Sequence, residues 1–159
     1  HSLGGYIAYQ EAVREAARAD GDKLDIDVVV TFDAPLLGID ADKKAIIDQI
    51  PCDKTYIAGA RIVADKLDAG LHVKRAQETA SIASAGIRLA NFGNINDCLW
   101  NTSHCLPGSG FIDDSGTQFL EGAAARFSYA FASNPFESHD AILAHEPAVA
   151  DAITFVGAP

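Results

Sequence analysis

Apolar residues recur at three- and four-residue intervals from Gly5 to Ala19. Tyr6, Tyr9, Val13, Ala16 and Ala17 line one face, and Glu11, Arg14, Glu15 and Arg18 fall among the polar positions. This is the period of an amphipathic helix, and Asp20-Gly21-Asp22 ends it. The pattern then changes. Ile26 to Phe32 is a β-branched run with Asp27 as its only charge, which predicts a strand buried on both faces of a parallel sheet. It runs into Asp33-Ala34-Pro35-Leu36-Leu37-Gly38-Ile39, where Pro35 and Gly38 force irregular backbone at the carboxyl end of the strand. Residues 41–85 return to a helical period: Lys43 to Gln49 ended by Pro51, Tyr56 to Leu67 ended near Gly70, and Val73 to Ala83 ended near Gly86. That excursion fits a helical cap over the carboxyl edge of a sheet. It fits equally well as extra helices packed on the sheet.

Gly86 to Gly93 alternates apolar and polar residues, which predicts a strand, and breaks into the acidic loop Asn94-Ile95-Asn96-Asp97-Cys98. Residues 116–132 carry two patterns. Phe119, Leu120, Ala123, Ala124 and Phe127 suit a helix, whereas Ala125 to Ala132 alternates aromatic and small residues like a strand; we favour a strand from about Arg126 to Phe131. The loop Ser133 to His139 follows. Ala148, Val149, Ala152, Ile153, Phe155 and Val156, behind Pro147, form a closing helix, and no internal repeat appears. Helix, strand, helices, strand, strand and helix make the order of an α/β domain.

Composition narrows the class. A chain of 159 residues, 48% apolar and 21% charged, is long enough for one soluble globular domain with a real core. Its net charge of −10 argues against nucleic acid or an anionic membrane as partner, because both would repel it. No apolar run approaches the roughly eighteen residues that cross a bilayer, and no basic segment with an apolar stretch opens the chain as in a secretory signal. There is no methionine. A chain without an initiator, beginning within a motif, is expected to be a processed or truncated piece or part of something longer.

The motif is at the start. In His1-Ser2-Leu3-Gly4-Gly5, Ser2 and Gly4 supply the S-x-G half of the nucleophile-elbow pattern G-x-S-x-G, in which a serine stands in a strained turn and small neighbours avoid a clash with strand and helix. The competing reading is a flexible glycine-rich terminus. A helix directly after Ser2 is what an elbow requires, and its first amides would help hold a developing oxyanion. A serine nucleophile needs a histidine, and the histidine needs a carboxylate to hold its tautomer and stabilise the imidazolium. Asp97, in the loop after a strand, is the first choice for that acid. Asp113 and Asp114, between Gly108-Ser109-Gly110 and Ser115-Gly116, read as solvated turn residues and stand as the second option for the acid; Asp33 can be read as a catalytic acid, but a loop carboxylate satisfying nearby amides is the preferred role. His139 is preferred as the base over His145, which lies at the start of the last helix where a surface role is more ordinary; His1, His72 and His104 are expected to be non-catalytic. Cys52 stands alone, while Cys98 and Cys105 bracket a short polar stretch and form a candidate disulfide. Such a bridge would favour a secreted or extracytoplasmic location, and free thiols a cytoplasmic one. A metal site from Cys98, His104 and Cys105 is the sharper alternative, but adjacent His-Cys cannot easily face one ion and a fourth ligand is not evident.

Serine, then aspartate, then histidine is the chain order of α/β-hydrolases. On His1 to Gly5, Thr31 to Ile39, Asn96-Asp97, and His139-Asp140-Ala141-Ile142-Leu143 leading into Pro147 to Phe155, the chain resembles the carboxyl-terminal portion of an α/β-hydrolase from the nucleophile onward, most closely the lipase and esterase branch related to GPI inositol-deacylases. Thr31 to Ile39 reads like that branch's "LDSPLGGV". The resemblance implies a partial α/β-hydrolase domain over 1–159, with 41–85 as cap or insertion. Ser2 would be the nucleophile, His139 the general base and acid, Asp97 the orienting carboxylate, and the Leu3 amide half of the oxyanion hole. It implies hydrolysis of a hydrophobic carboxylic ester through an acyl-enzyme, with no cofactor and no metal. The strands before the elbow, and the loop giving the second oxyanion amide, would come from an amino-terminal half in the same or a separate chain. Without that half the sheet would have an open central edge, with poor stability and little activity expected. A thioesterase or acyltransferase would use the same three residues. A non-catalytic interaction module, with Ser2 a frayed terminus, is the remaining alternative.

Overall fold

A computed structural model of the chain describes residues 1–18, 24–36, 71–97, 100, 120–131 and 139–159. These form helix α1 (Ser2–Ala16), strand β1 (Val28–Phe32), helix α2 (Leu71–Ser84), strand β2 (Arg88–Asn94), strand β3 (Ala125–Tyr129) and helix α3 (Glu146–Gly157), with a 3₁₀ turn at Ile142–Ala144. The expected helices Lys43 to Gln49 and Tyr56 to Leu67 lie outside the described residues, and with them the cap reading. So do Cys52, Cys98, Cys105, His104, Asp113 and Asp114.

The three strands form one parallel sheet in the order β1-β2-β3. The chain is therefore of the α/β class. Its register explains the two cores. Val29 and Leu89 face α1 and α2, where they join Tyr9, Ala12, Ile82 and Leu120. Ala90 and Phe92 face the other way and pack with Ile142, Ala148 and Ala152, with Val30, Phe32, Phe127 and Tyr129 around them. Phe92 lies 4.4 Å from the Phe127 ring, stacked, and 5.0 Å from Phe32, so an aromatic row crosses all three strands on this face. Aromatic pairs of this kind contribute about 0.5–1.5 kcal/mol beyond their burial.

Several boundaries and faces differ from the sequence pattern. Strand β1 starts at Val28, not Ile26, and is not sealed on both faces: Val29 and Thr31 are buried, while Val28, Val30 and Phe32 are only partly covered. Helix α1 begins at Ser2, not Gly5, because Gly4 and Gly5 are accommodated within it; Gly5 is buried where an added Cβ would stand 2.7 Å from Ala34 Cβ, so glycine permits the helix to lie close on β1. Glu15, which falls among the polar positions, is buried: it accepts the Leu24 amide at 2.5 Å and pairs with Arg18 at 2.8 Å, closing the chain back after the helix. The last strand runs Ala125–Tyr129, ending before Phe131. Strand β2 shows no alternation of burial from Leu89 to Asn94, because it is the middle strand and both faces are covered. Its asparagines are buried and bonded instead of solvated. The Asn91 amide donates to Thr31 Oγ1 at 3.1 Å and its carbonyl accepts the Leu120 amide at 3.2 Å.

One polar cluster ties α1 to α2. Buried Arg75 donates to the Leu36 carbonyl at 2.9 Å and to Glu78 at 2.5 Å, and its guanidinium lies over the Tyr6 and Tyr9 rings. Tyr9 donates to the same Glu78 at 2.6 Å. Among the described residues no helix is long and apolar enough to cross a membrane.

Candidate active site

Parallel strands point their carboxyl ends to one edge, and in open α/β sheets ligands gather there. Asp33 directly follows β1, Asp97 follows β2, and His139 follows β3 in a helical turn before Ile142–Ala144. The topology thus delivers two carboxylates and an imidazole from distant parts of the chain to a single rim.

Asn94, the last residue of β2, organises that rim. Its backbone amide donates to Asp33 Oδ1 at 2.7 Å, its side-chain amide donates to the Phe131 carbonyl at 3.0 Å, and its side-chain oxygen accepts the Asn96 amide at 3.1 Å. The Asp97 amide closes a turn on the Asn94 carbonyl at 2.9 Å. Asp97 is thereby held at the end of the middle strand, fully buried.

His139 is 3% exposed, and its Nδ1 donates to Asp97 Oδ2 at 2.5 Å. An ionised carboxylate can only accept, so this bond puts the ring proton on Nδ1 and the lone pair of the neutral ring on Nε2. His145 is elsewhere. It occupies the position just before α3 without a side-chain capping bond, stacks on Phe131 at 4.0 Å and meets the edge of Tyr129 at 5.3 Å. Of the two candidate histidines, only His139 is bonded to Asp97.

Ser2 is half-buried at the first position of α1 with φ of +51°, a left-handed backbone that L-residues other than Asn and Asp rarely adopt. A strained serine at the mouth of a helix is the backbone that an elbow calls for. Leu3 follows it in the first turn, where helix amides lack an acceptor within the helix. His1, directly before Ser2, donates from Nε2 to the His139 carbonyl at 2.8 Å, with the two rings 4.7 Å apart. This contact joins the serine's end of α1 to the turn carrying His139.

Asp33 is more than a loop carboxylate satisfying amides. It is 1% exposed with φ of +41°, and while Oδ1 accepts from Asn94, Oδ2 is buried without a hydrogen-bond partner. Burial, reinforced by the neighbouring Asp97 charge, pushes its carboxyl well above the usual range. One ligand atom each of His1, Asp33 and His139 lies within 4.8 Å of the others. Sequence reasoning set His1 and Asp33 aside. The signal for Asp33 was its place directly after a buried strand; nothing along the chain signalled His1 except its position beside Ser2. His72 lies within α2. Cys98 and Cys105, the candidate disulfide, lie outside the described residues.

Such a rim can do two kinds of chemistry. The His139 and Asp97 pair can accept a proton from a hydroxyl and stabilise the resulting imidazolium. The two imidazoles and Asp33 are also a donor set of the type that holds a transition metal. No family model, curated protein or solved structure matches this chain.

Proposed function

We propose that the chain is the nucleophile-bearing portion of a serine hydrolase of the α/β-hydrolase type, cleaving carboxylic esters through an acyl-enzyme. The observation that carries this reading is the buried hydrogen bond from His139 Nδ1 to Asp97, with the His139 carbonyl bonded to His1, the residue before a serine at positive φ; Ser2 itself is not hydrogen-bonded to His139. Ser2 Oγ attacks the ester carbonyl while His139 Nε2 takes its proton, and Asp97 stabilises the imidazolium. The tetrahedral oxyanion meets the Leu3 amide and the positive end of α1. Collapse expels the alcohol, which receives the proton from His139, and leaves the acyl group on Ser2. Water then attacks in the same way and restores the serine. The substrate we favour is a hydrophobic ester.

Fluorophosphonate labelling of the full-length protein tests the reading. Labelling that disappears in Ser2→Ala and in His139→Ala, with hydrolysis of p-nitrophenyl esters showing the same losses, supports it. A folded protein that never labels would sink it. Activity that rises with acyl length would support the hydrophobic substrate.

A further inference from the structure

The hydrolase reading uses only one of the three residues that converge at this rim. His1 at the start of α1, Asp33 after β1 and His139 after β3 place one ligand atom each within 4.8 Å of the other two. Each imidazole has its proton directed by a hydrogen bond. His1 Nε2 donates to the His139 carbonyl, which puts the lone pair of its neutral ring on Nδ1, and His139 Nδ1 donates to Asp97, which puts the lone pair on Nε2. Asp33 contributes a carboxylate oxygen, Oδ2, that is buried and accepts no hydrogen bond. A buried acceptor without a donor is costly, and a cation is one of the few things that satisfies it. Behind His139 stands Asp97, and a carboxylate on the far nitrogen is the usual device that orients a metal-ligating histidine and raises its basicity.

We propose that His1, Asp33 and His139 bind one divalent transition cation, of the class that accepts two imidazole nitrogens and a carboxylate oxygen with a position open to water, zinc being the representative. Binding forms three coordinate bonds, and the proton held on the Asp33 carboxyl is released to solvent as the cation takes its place. A consequence follows that rests on the hydrolase reading. The lone pair on His139 Nε2 cannot both hold the cation and take a proton from Ser2, so the metal-bound protein is switched off and a chelator switches it on.

The test uses the full-length protein, stripped with a chelator and titrated with zinc by calorimetry. One zinc ion per chain is expected, released again by chelator. Asp97→Asn should weaken binding by about 10–100-fold, the usual cost of removing a partner behind a ligating histidine; Asp33→Asn and His1→Gln, which remove direct ligands, should weaken it more. His145→Asn should bind as the parent does. Should Asp33→Asn fail to fold, the imidazole proton resonances of the parent decide: zinc must shift those of His1 and His139 and spare His145. No saturable binding, or binding indifferent to these variants, overturns the proposal. The two readings fail separately. Zinc bound at these residues by a protein that never labels with fluorophosphonate keeps the metal site and removes the hydrolase; labelling without zinc binding does the reverse.

Discussion

Ser2 combines two facts that pull against each other. A non-glycine residue at φ of +51° costs about 1–2 kcal/mol relative to an ordinary backbone, and no side-chain hydrogen bond caps α1 to offset it. Ser2→Gly should therefore raise stability, by about 1 kcal/mol in denaturant unfolding, while abolishing fluorophosphonate labelling; a loss of stability would show that the turn is not strained. Asp97 makes a second residue-level prediction. Asp97→Asn keeps the shape but lets His139 adopt the wrong tautomer, so kcat on a test ester should fall about 10⁴-fold. A fall of less than about tenfold would mean that Asp97 does not orient the base. The Asp97 and His139 pair was legible along the chain because each residue lies in the loop after a predicted strand and the two belong to a known chemical set. Asp33 was not: its second oxygen is buried by residues far off in sequence, and a lone aspartate after a strand reads the same whether it is solvated or sealed.

Helices and strands were legible wherever one face is wet. Helix α1, helix α3 and strand β3 keep a covered face and an exposed one, and their period survives in the sequence. Strand β2 is covered on both faces, so Asn91 and Gly93 looked like the polar half of an alternation, and Asn94 like the start of a loop, when all three are interior. Gly93 shows why that matters. A Cβ at this position would stand 2.0 Å from the indole of Trp100, which is 1% exposed. Gly93→Ala must displace the ring or the strand, at a cost of about 1–3 kcal/mol or more for overpacking. Trp100 is the only tryptophan, so its fluorescence reports the change directly: a red shift and a lower melting temperature are expected, and an unchanged spectrum would place the ring elsewhere. The Arg75 cluster was equally hidden. Its charge reads as a solvated position on α2, and only the packing of α1 against α2 brings Tyr6, Tyr9 and Glu78 around it.

The described residues form two cores on one sheet, and each has a tyrosine that reports on it. Burial, with the hydrogen bond to Glu78, pushes the Tyr9 hydroxyl up on the α1 and α2 side; burial, with the hydrogen bond to Asp151, pushes Tyr129 up on the α3 side. Both groups hold their protons more tightly folded than unfolded. Their contribution is fully present below the unfolded tyrosine value of about 10 and is lost as pH rises above it. The melting temperature should fall in alkali above that point, and Tyr9→Phe with Tyr129→Phe should flatten the fall; an equally steep curve in the double variant would refute it.

Periodicity and residue type along the chain were enough to determine the α/β order and the helices with a wet face, and they marked Asp97 and His139 as an acid and an imidazole in the loops after two strands. These are local properties: a helix or strand writes its period into consecutive residues, and a strand followed by a loop acid or histidine is visible as such. Tertiary structure alone decided which strand lies in the middle, that Asn94 clasps the rim, and that His1 and Asp33 stand beside His139 and Asp97. Those depend on strand order and register, which bring together residues as far apart as His1 and His139 and leave no trace in the neighbours of either.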